Sequence, residues 1–416
     1  MRIMRPTYLS RLIAHKHNRL IKIITGIRRC GKSYLLFDFF REHLCKEGVE
    51  ESHIVGISLD DRKYRALRNP DKCYEYVTSR IKDAGMYYIL LDEVQLMEDF
   101  EDVLNGFLHI DNADVYVTGS NSRFLSSDII TEFRGRGDEI RIHPLSFSEF
   151  FEFRKTDWQD AWNEYYTFGG LPYVVQLSSP EEKIRYLQSM FRQTYLRDII
   201  ERNHIRNDSE LDELVNLVAS SIGSLTNPQK LTNTFQSRKN VRVSAPTVKQ
   251  YLDYLRDAFL IEKTLRYDVK GKKYINTPAK YYFEDVGIRN ARLNFRQQEE
   301  PHIMENIIYN ELRNRGFVVD IGIVELREKE RGKYITKRTE IDFVANKGSQ
   351  RYYIQSAFAL PTTEKQAQEE RPLRNVADSF KKLIVIKDNI MLRRDEYGVT
   401  TMGLKEFLLN PDSLNL

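Results

Sequence analysis

The stretch IKIITGIRRCGKSYLLFDFF, Ile21 to Phe40, decides how the chain is read. Ile21 to Thr25 has the apolar, β-branched composition of a buried strand, and from Ser33 to His43 apolar residues recur at helical spacing. Between them, Gly26 to Ser33 spells G-x-x-x-x-G-K-[ST]. A strand feeding such a loop, with a helix opening directly behind it, turns backbone N–H groups and the positive end of the helix dipole toward an anion. Gly26, Ile27, Arg28, Arg29, Cys30, Gly31, Lys32, Ser33 and Tyr34 are therefore assigned to a phosphate-bearing ligand. Lys32 is expected to reach the phosphates and Ser33 to face a metal ion. An ordinary strand-to-helix turn would explain the glycines but not Gly-Lys-Ser in this setting. Arg28 and Arg29 occupy variable loop positions, which often point away from phosphates, and Cys30 is read as a tolerated loop residue rather than a reactive thiol.

A phosphate loop that hydrolyses needs a second strand carrying acids. Tyr87 to Leu91 is an apolar run of strand type, and Asp92-Glu93 follow where a parallel sheet presents its ligand-facing edge. Asp92 would hold Mg²⁺ beside Ser33, and Glu93 would act as general base toward water. Alone, the pair would be two solvated acids at a strand end. A further strand, Asp114 to Thr118, ends in Gly119-Ser120-Asn121. Asn121, with Ser120 close behind, is the candidate to hydrogen-bond the attacking water or the terminal phosphate, against a simple strand–turn–helix cap. Arg134 and Arg136 precede another strand, Glu139 to Ile142. Arg136 is the better candidate to stabilise transition-state charge, in cis or from a neighbouring subunit, against loop arginines paired with Glu132 or Asp138.

At 416 residues, 41% hydrophobic and 30% charged, the chain is expected to fold as a multidomain globular protein. No segment has the apolar length of a membrane span and the first residues carry no secretory core, so a cytoplasmic chain with no membrane partner is expected. Three cysteines, Cys30, Cys45 and Cys73, are neither even in number nor spaced as metal ligands.

GIRRCGKSYLL, LLDEVQ, VTGSNS, the RGR triplet and IHPLSFSEFFEF, in this order, resemble the bacterial and archaeal AAA+ ATPases that carry a C-terminal domain of unknown function. The resemblance implies a fold of the α/β class: a five-stranded parallel P-loop AAA+ sheet between helices, with its Walker A and Walker B motifs, and a small helical lid. It also implies ATP with Mg²⁺ as ligand. It places YTFGGLPYVV, with Gly169, Gly170 and Pro172, in the lid near the adenine, whereas Gly-Gly-x-Pro alone would read as a loop bend.

Four domains are expected: an ATPase core over 1–145, the lid over 146–210, a winged helix-turn-helix over 211–290 and a C-terminal domain over 291–416. Glu181 to Asn207 reads as one long packing helix with a break near Asn203. A turn is expected at NPQKLTNTF, a helix over Thr247 to Leu260 after Ser244 and Pro246, and a hairpin wing around Gly271. From Asn227 to Lys280 there are twelve Lys and Arg against four Asp and Glu, while the whole chain has 64 against 60. Lys249, Arg256, Lys263, Lys270, Lys272 and Lys273, interleaved with Tyr251, Tyr254 and Tyr267, suit phosphates of double-stranded DNA. The competing reading is a soluble packing or oligomerisation module.

In the last third, Glu305 on a helix, Asp342 inside a strand and a following strand RYYIQSAFAL are similar to a restriction-endonuclease-like α/β core. Active forms of that core set acid-x-Lys on the third strand, where this chain has Gln355-Ser356-Ala357. Asp342 with Glu305 or Glu340 keeps oxygen ligands, but efficient hydrolysis is not expected. Lys381 and Lys382 are read as the solvated face of a helix. Two functions follow: an ATP-hydrolysing machine on DNA or a protein–DNA complex, assembling as a homo-oligomer if arginines act in trans, or a slow nucleotide-gated switch or regulator holding a protein partner through its C-terminal domain.

Overall fold

A computed structural model of the chain describes residues 2–119, 135–239, 243–330 and 333–416. The chain divides into two compact units, Met1–Pro144 with Arg256–Phe259, and Leu145–Leu255 with Leu260–Leu416.

The first unit is built on five strands, β1 Ile21–Thr25, β2 Ile54–Ser58, β3 Tyr87–Asp92, β4 Ala113–Thr118 and β5 Gly137–Arg141. They form one sheet in the order β2-β3-β4-β1-β5, and every pairing is parallel. Parallel strands need crossovers, and sheets covered on both faces read as continuous apolar runs. β1 and β3 are buried along their whole length, and Ile57, Ile89, Leu91, Val117 and Phe107 belong to one core cluster. Lys22 is the discordant residue in β1. It is buried by pairing with Asp114, donating to the Leu20 carbonyl at 2.8 Å and lying 4.7 Å from the Tyr116 ring centroid.

Register aligns the polar ends of these strands. Ile24 pairs with Thr118, Thr25 with Arg141 and Ser58 with Asp92, so the C-terminal edge of the sheet is edged by hydroxyls and charges above an apolar body. The phosphate-loop helix runs from Lys32 to Lys46, with a wider, i→i+5-bonded stretch over Leu35–Phe40.

In the second unit the break expected near Asn203 is where the long helix ends, rather than continuing to Asn207, because His204 takes a left-handed conformation. The turn expected at NPQKLTNTF is instead a helix, Pro228–Lys239. Asn227 accepts the Lys230 N–H at 2.7 Å and Pro228 suits the first turn, so this is a capped helix start rather than a loop. A further helix, Ala245–Asp257, starts at Ser244, whose hydroxyl accepts the Thr247 N–H at 3.2 Å.

Eight strands follow: β6 Ile261–Asp268, β7 Lys273–Phe283, β8 Val318–Glu330, β9 Lys333–Lys347, β10 Gln350–Ala357, β11 Lys381–Ile386, β12 Arg393–Arg394 and β13 Val399–Gly403. They make a single mixed sheet ordered β12-β13-β11-β10-β9-β8-β6-β7. The hairpin around Gly271 is present, and it is the edge pair of this sheet: β6 runs parallel to β8, with Tyr267 opposite Gly322. A Cβ on Gly322 would stand 3.0 Å from both Ile341 and Val344, so the strand packs closely there. Lys381 and Lys382 lie in β11, opposite Tyr352 and Tyr353, and not on a helix. The run KKLIVI ends in four buried apolar residues, and the parallel partners β10 and β13 claim its backbone hydrogen bonds. Among the described residues no helix is long and apolar enough to cross a membrane.

Candidate phosphate-binding site

The loop after β1 turns on two glycines. Gly26 has φ +139, and a Cβ there would lie 2.1 Å from the Ile142 carbonyl oxygen, so any other residue would collide with backbone. Arg29 and Gly31 also adopt positive φ, +69 and +100, which folds the loop back before the helix begins at Lys32. Ile27 and Cys30 are fully buried beneath it, which leaves Cys30 a packing residue. Arg28 is half-buried and Arg29 exposed.

Lys32 is buried, and its ammonium donates to the carbonyls of Gly26 at 3.0 Å and Ile27 at 3.3 Å. Ser33 donates its hydroxyl to Asp92 at 3.0 Å. Asp92, at the end of β3, also accepts from Ser58 at 3.3 Å and, through a short bond, from Thr118. Burial raises the Asp92 carboxyl above its usual range, opposed by the bonds from Thr118 and Ser33. Ser58 and Thr118 were not singled out from sequence. Their signal is the polar residue ending each strand, but which strand neighbours β3 is a matter of sheet order. Glu93 follows in a left-handed conformation, φ +50, its N–H on the Thr118 hydroxyl at 3.0 Å and its carboxylate receiving the Gln95 amide.

Arg5, before the first helix, is a second unforeseen contributor. It is 7% exposed, lies 4.5 Å from the Tyr8 ring centroid, and donates to the carbonyls of Cys30 at 3.3 Å, His143 at 3.0 Å and Pro144 at 3.4 Å. It thereby ties the loop to the chain leaving β5. Tyr34 is exposed, and its hydroxyl accepts from Arg2 at 3.1 Å.

Asn121, Ser120 and Arg134 lie outside the described residues. Arg136 is exposed just before β5, its carbonyl accepting the Ile21 N–H at 2.9 Å. It therefore stands at the start of β1, a strand's length of about 13 Å from the loop that follows Thr25. At the loop edge the β5 residue is Arg141, paired with Thr25, its guanidinium 4.8 Å from the Phe259 ring centroid.

In the second unit Pro172 opens the short helix Pro172–Gln176. The glycines before it make room for Asp285: a Cβ on Gly169 would stand 2.2 Å from that carboxylate, and the Gly170 N–H donates to it at 2.7 Å. Burial pushes the Asp285 carboxyl up to about 6. Asn290 donates to the Tyr166 and Thr167 carbonyls at 2.8 and 3.0 Å, so EDVGIRN anchors YTFGGLP. Elsewhere in this unit Glu305, Glu340 and Asp342 converge on Lys280.

Among the described residues no group of three or more His, Cys, Asp and Glu is arranged to hold a metal ion by itself. Ser33 and Asp92 nevertheless form a hard-oxygen pair of the kind that holds Mg²⁺ when phosphate oxygens and water complete the shell. The parallel sheet and glycine-turned loop define a P-loop protein. An AAA domain family matches residues 18–151, and a domain of unknown function, DUF8612, matches residues 159–299. An uncharacterized protein of Haemophilus influenzae is 32% identical over 389 residues, covering 92% of this chain and 93% of its own. A second, from Methanocaldococcus jannaschii, is 27% identical, covering 91% of this chain and 82% of its own. A solved structure of the Aeropyrum pernix ORC1 protein in complex with DNA matches with TM-score 0.29 and 13% identity, covering 70% of this chain and 92% of that one. The chain belongs to the P-loop AAA+ ATPases that carry a domain of unknown function behind the ATPase core.

Proposed function

We propose that the protein binds ATP with Mg²⁺ and hydrolyses it to ADP and phosphate, and that it uses this turnover on DNA or a protein–DNA complex. The observation that carries the ATPase reading is the convergence of Lys32, Ser33 and Asp92 at the end of β1 and β3. Lys32 binds phosphate oxygens, exchanging two neutral carbonyl partners for charged ones. Ser33 and Asp92 hold Mg²⁺, which when bound neutralises charge on the phosphates. Glu93 orients the attacking water and accepts its proton, and Asn121 reports on the terminal phosphate. Arg136, about 13 Å away along β1, suits an arginine supplied to a neighbouring copy and so a homo-oligomer. Pro172, in the 146–210 lid, is assigned to the adenine by the family resemblance alone.

For DNA, the exposed Lys249, Lys270, Lys272 and Lys273 supply phosphate contacts in the 211–290 winged helix. A second reading is favoured by one observation: β6 is hydrogen-bonded into the C-terminal sheet, which suits a hairpin used for packing. On that reading the protein is a slow switch whose nuclease-like C-terminal domain, 291–416, holds a protein partner.

Steady-state phosphate release from ATP with Mg²⁺, with and without double-stranded DNA, tests both. DNA-stimulated turnover lost in Lys32→Ala and Glu93→Gln supports the machine. Tight ATP binding with background turnover at any DNA concentration rejects it in favour of the switch.

A further inference from the structure

Three carboxylates meet inside the second unit. Glu305 comes from the helix Glu300–Asn314, while Glu340 and Asp342, two residues apart, share one face of β9. Into their midst β7 sends Lys280, whose side chain is 4% exposed. Its ammonium lies 2.6 Å from Glu340, 2.9 Å from Glu305 and 3.6 Å from Asp342. Tyr282, two residues along the same face of β7, donates to the same Glu305 oxygen at 2.6 Å. The other Asp342 oxygen accepts the Ser356 N–H at 2.9 Å. Gln355 borders the cluster without facing its carboxylates: its amide oxygen accepts the Asp342 N–H at 3.4 Å and its amide nitrogen donates to Glu369 at 3.0 Å.

Three carboxylates at such range repel one another strongly unless a cation stands among them. Oxygen ligands gathered from a helix and a strand are what a hard divalent ion takes. Here the cation is part of the chain. Burial works against the Lys280 ammonium, but Glu305, Asp342 and Glu340 outweigh it and hold its pKa above the ordinary lysine value. Asp342 is pushed up to about 7, chiefly by burial and then by the Glu305 charge.

We propose that Lys280 is the resident cation of this centre: its ammonium stands where the carboxylates would otherwise hold a divalent ion. The C-terminal domain is thereby closed to metal-dependent hydrolysis, and β7 is fastened to the Glu300–Asn314 helix and β9 by charge. The proposal is independent of the ATPase reading, since it concerns residues of the second unit alone.

The test uses the full-length chain carrying Asp92→Asn, which removes the phosphate-site carboxylate, and counts bound Mn²⁺ from loss of the free-ion electron paramagnetic resonance signal. The parent and Lys280→Arg should bind no Mn²⁺ up to about 1 mM, whereas Lys280→Met should bind one ion at least tenfold more tightly. Adding Glu305→Gln to Lys280→Met should abolish that gain. If Lys280→Met does not fold in chelator, either Mn²⁺ or the added Glu305→Gln must restore its thermal transition. Failure of both rejects the proposal. So does a parent that binds Mn²⁺ as tightly as Lys280→Met, that cleaves double-stranded DNA with Mn²⁺, or a folded Lys280→Met that gains no ion.

Discussion

Two buried lysines, one in each unit, have opposite surroundings. Lys32 rests on two backbone carbonyls, at 3.0 and 3.3 Å, while its neighbour Ser33 is the residue that donates to Asp92. Lys280 is ringed by Glu305, Glu340 and Asp342. A buried ammonium on neutral dipoles keeps most of its field for an arriving anion, while one among carboxylates has its field cancelled where it stands. The first arrangement is suited to binding and the second to holding a fold together. Burial alone therefore does not tell a functional lysine from a structural one; the charge of its partners does.

Exchanging the readouts is the sharpest way to break this contrast. Glu93→Gln and Lys32→Ala should each lower phosphate release by roughly 10²–10⁴-fold. If either leaves turnover within threefold, the phosphate site has been misassigned. Lys280→Ala should instead act on stability, costing about 3–5 kcal/mol in urea unfolding because three carboxylates are left without their cation. Its ATP binding, measured by calorimetry under conditions where it remains folded, should match the wild type.

Asp285 sharpens the contrast from the acid side, since burial has raised it to about 6 against the lowering effect of the backbone N–H groups that donate to it. The folded state then holds a proton more tightly than the unfolded chain, whose aspartate titrates near ~3.9. Its stabilising contribution is complete below that unfolded value and is lost as pH rises through about 6. The difference between wild type and Asp285→Asn in urea unfolding should change by about 3 kcal/mol from pH 3 to 7, wild type losing relative stability as pH rises. A flat difference would mean the carboxyl is solvated.

The smallest effect is expected from Lys32→Ala on stability. Losing two bonds to carbonyls in a loop should shift unfolding free energy by no more than about 1 kcal/mol. A loss comparable to that of Lys280→Ala would erase the distinction between the two lysines.

The legibility of the two sites differs for a physical reason. The phosphate loop is local: Gly26, Gly31, Lys32 and Ser33 lie within eight residues, and their conformations follow from short-range sterics and the helix start. Asp92 could be placed because an apolar strand ends there. Ser58 and Thr118 could not, because they reach Asp92 through the order β2-β3-β4. The turn expected over 227–235 is a helix, because Asn227 caps its start and Pro228 suits its first turn. Lys381 and Lys382 looked like solvated helix charges because two lysines before an apolar run do not declare which partner strands will bracket them.

By itself, then, the sequence determined the phosphate loop, its acidic strand and the absence of acid-x-Lys at Gln355-Ser356-Ala357, all written in contiguous residues. The tertiary structure decided what stands among the acids: Lys280 lies 25 positions from Glu305, and the two meet because β7, an edge strand, folds beside the helix that carries it. Local stereochemistry is encoded in neighbours along the chain, whereas the balance of buried charge is settled by segments that packing brings together.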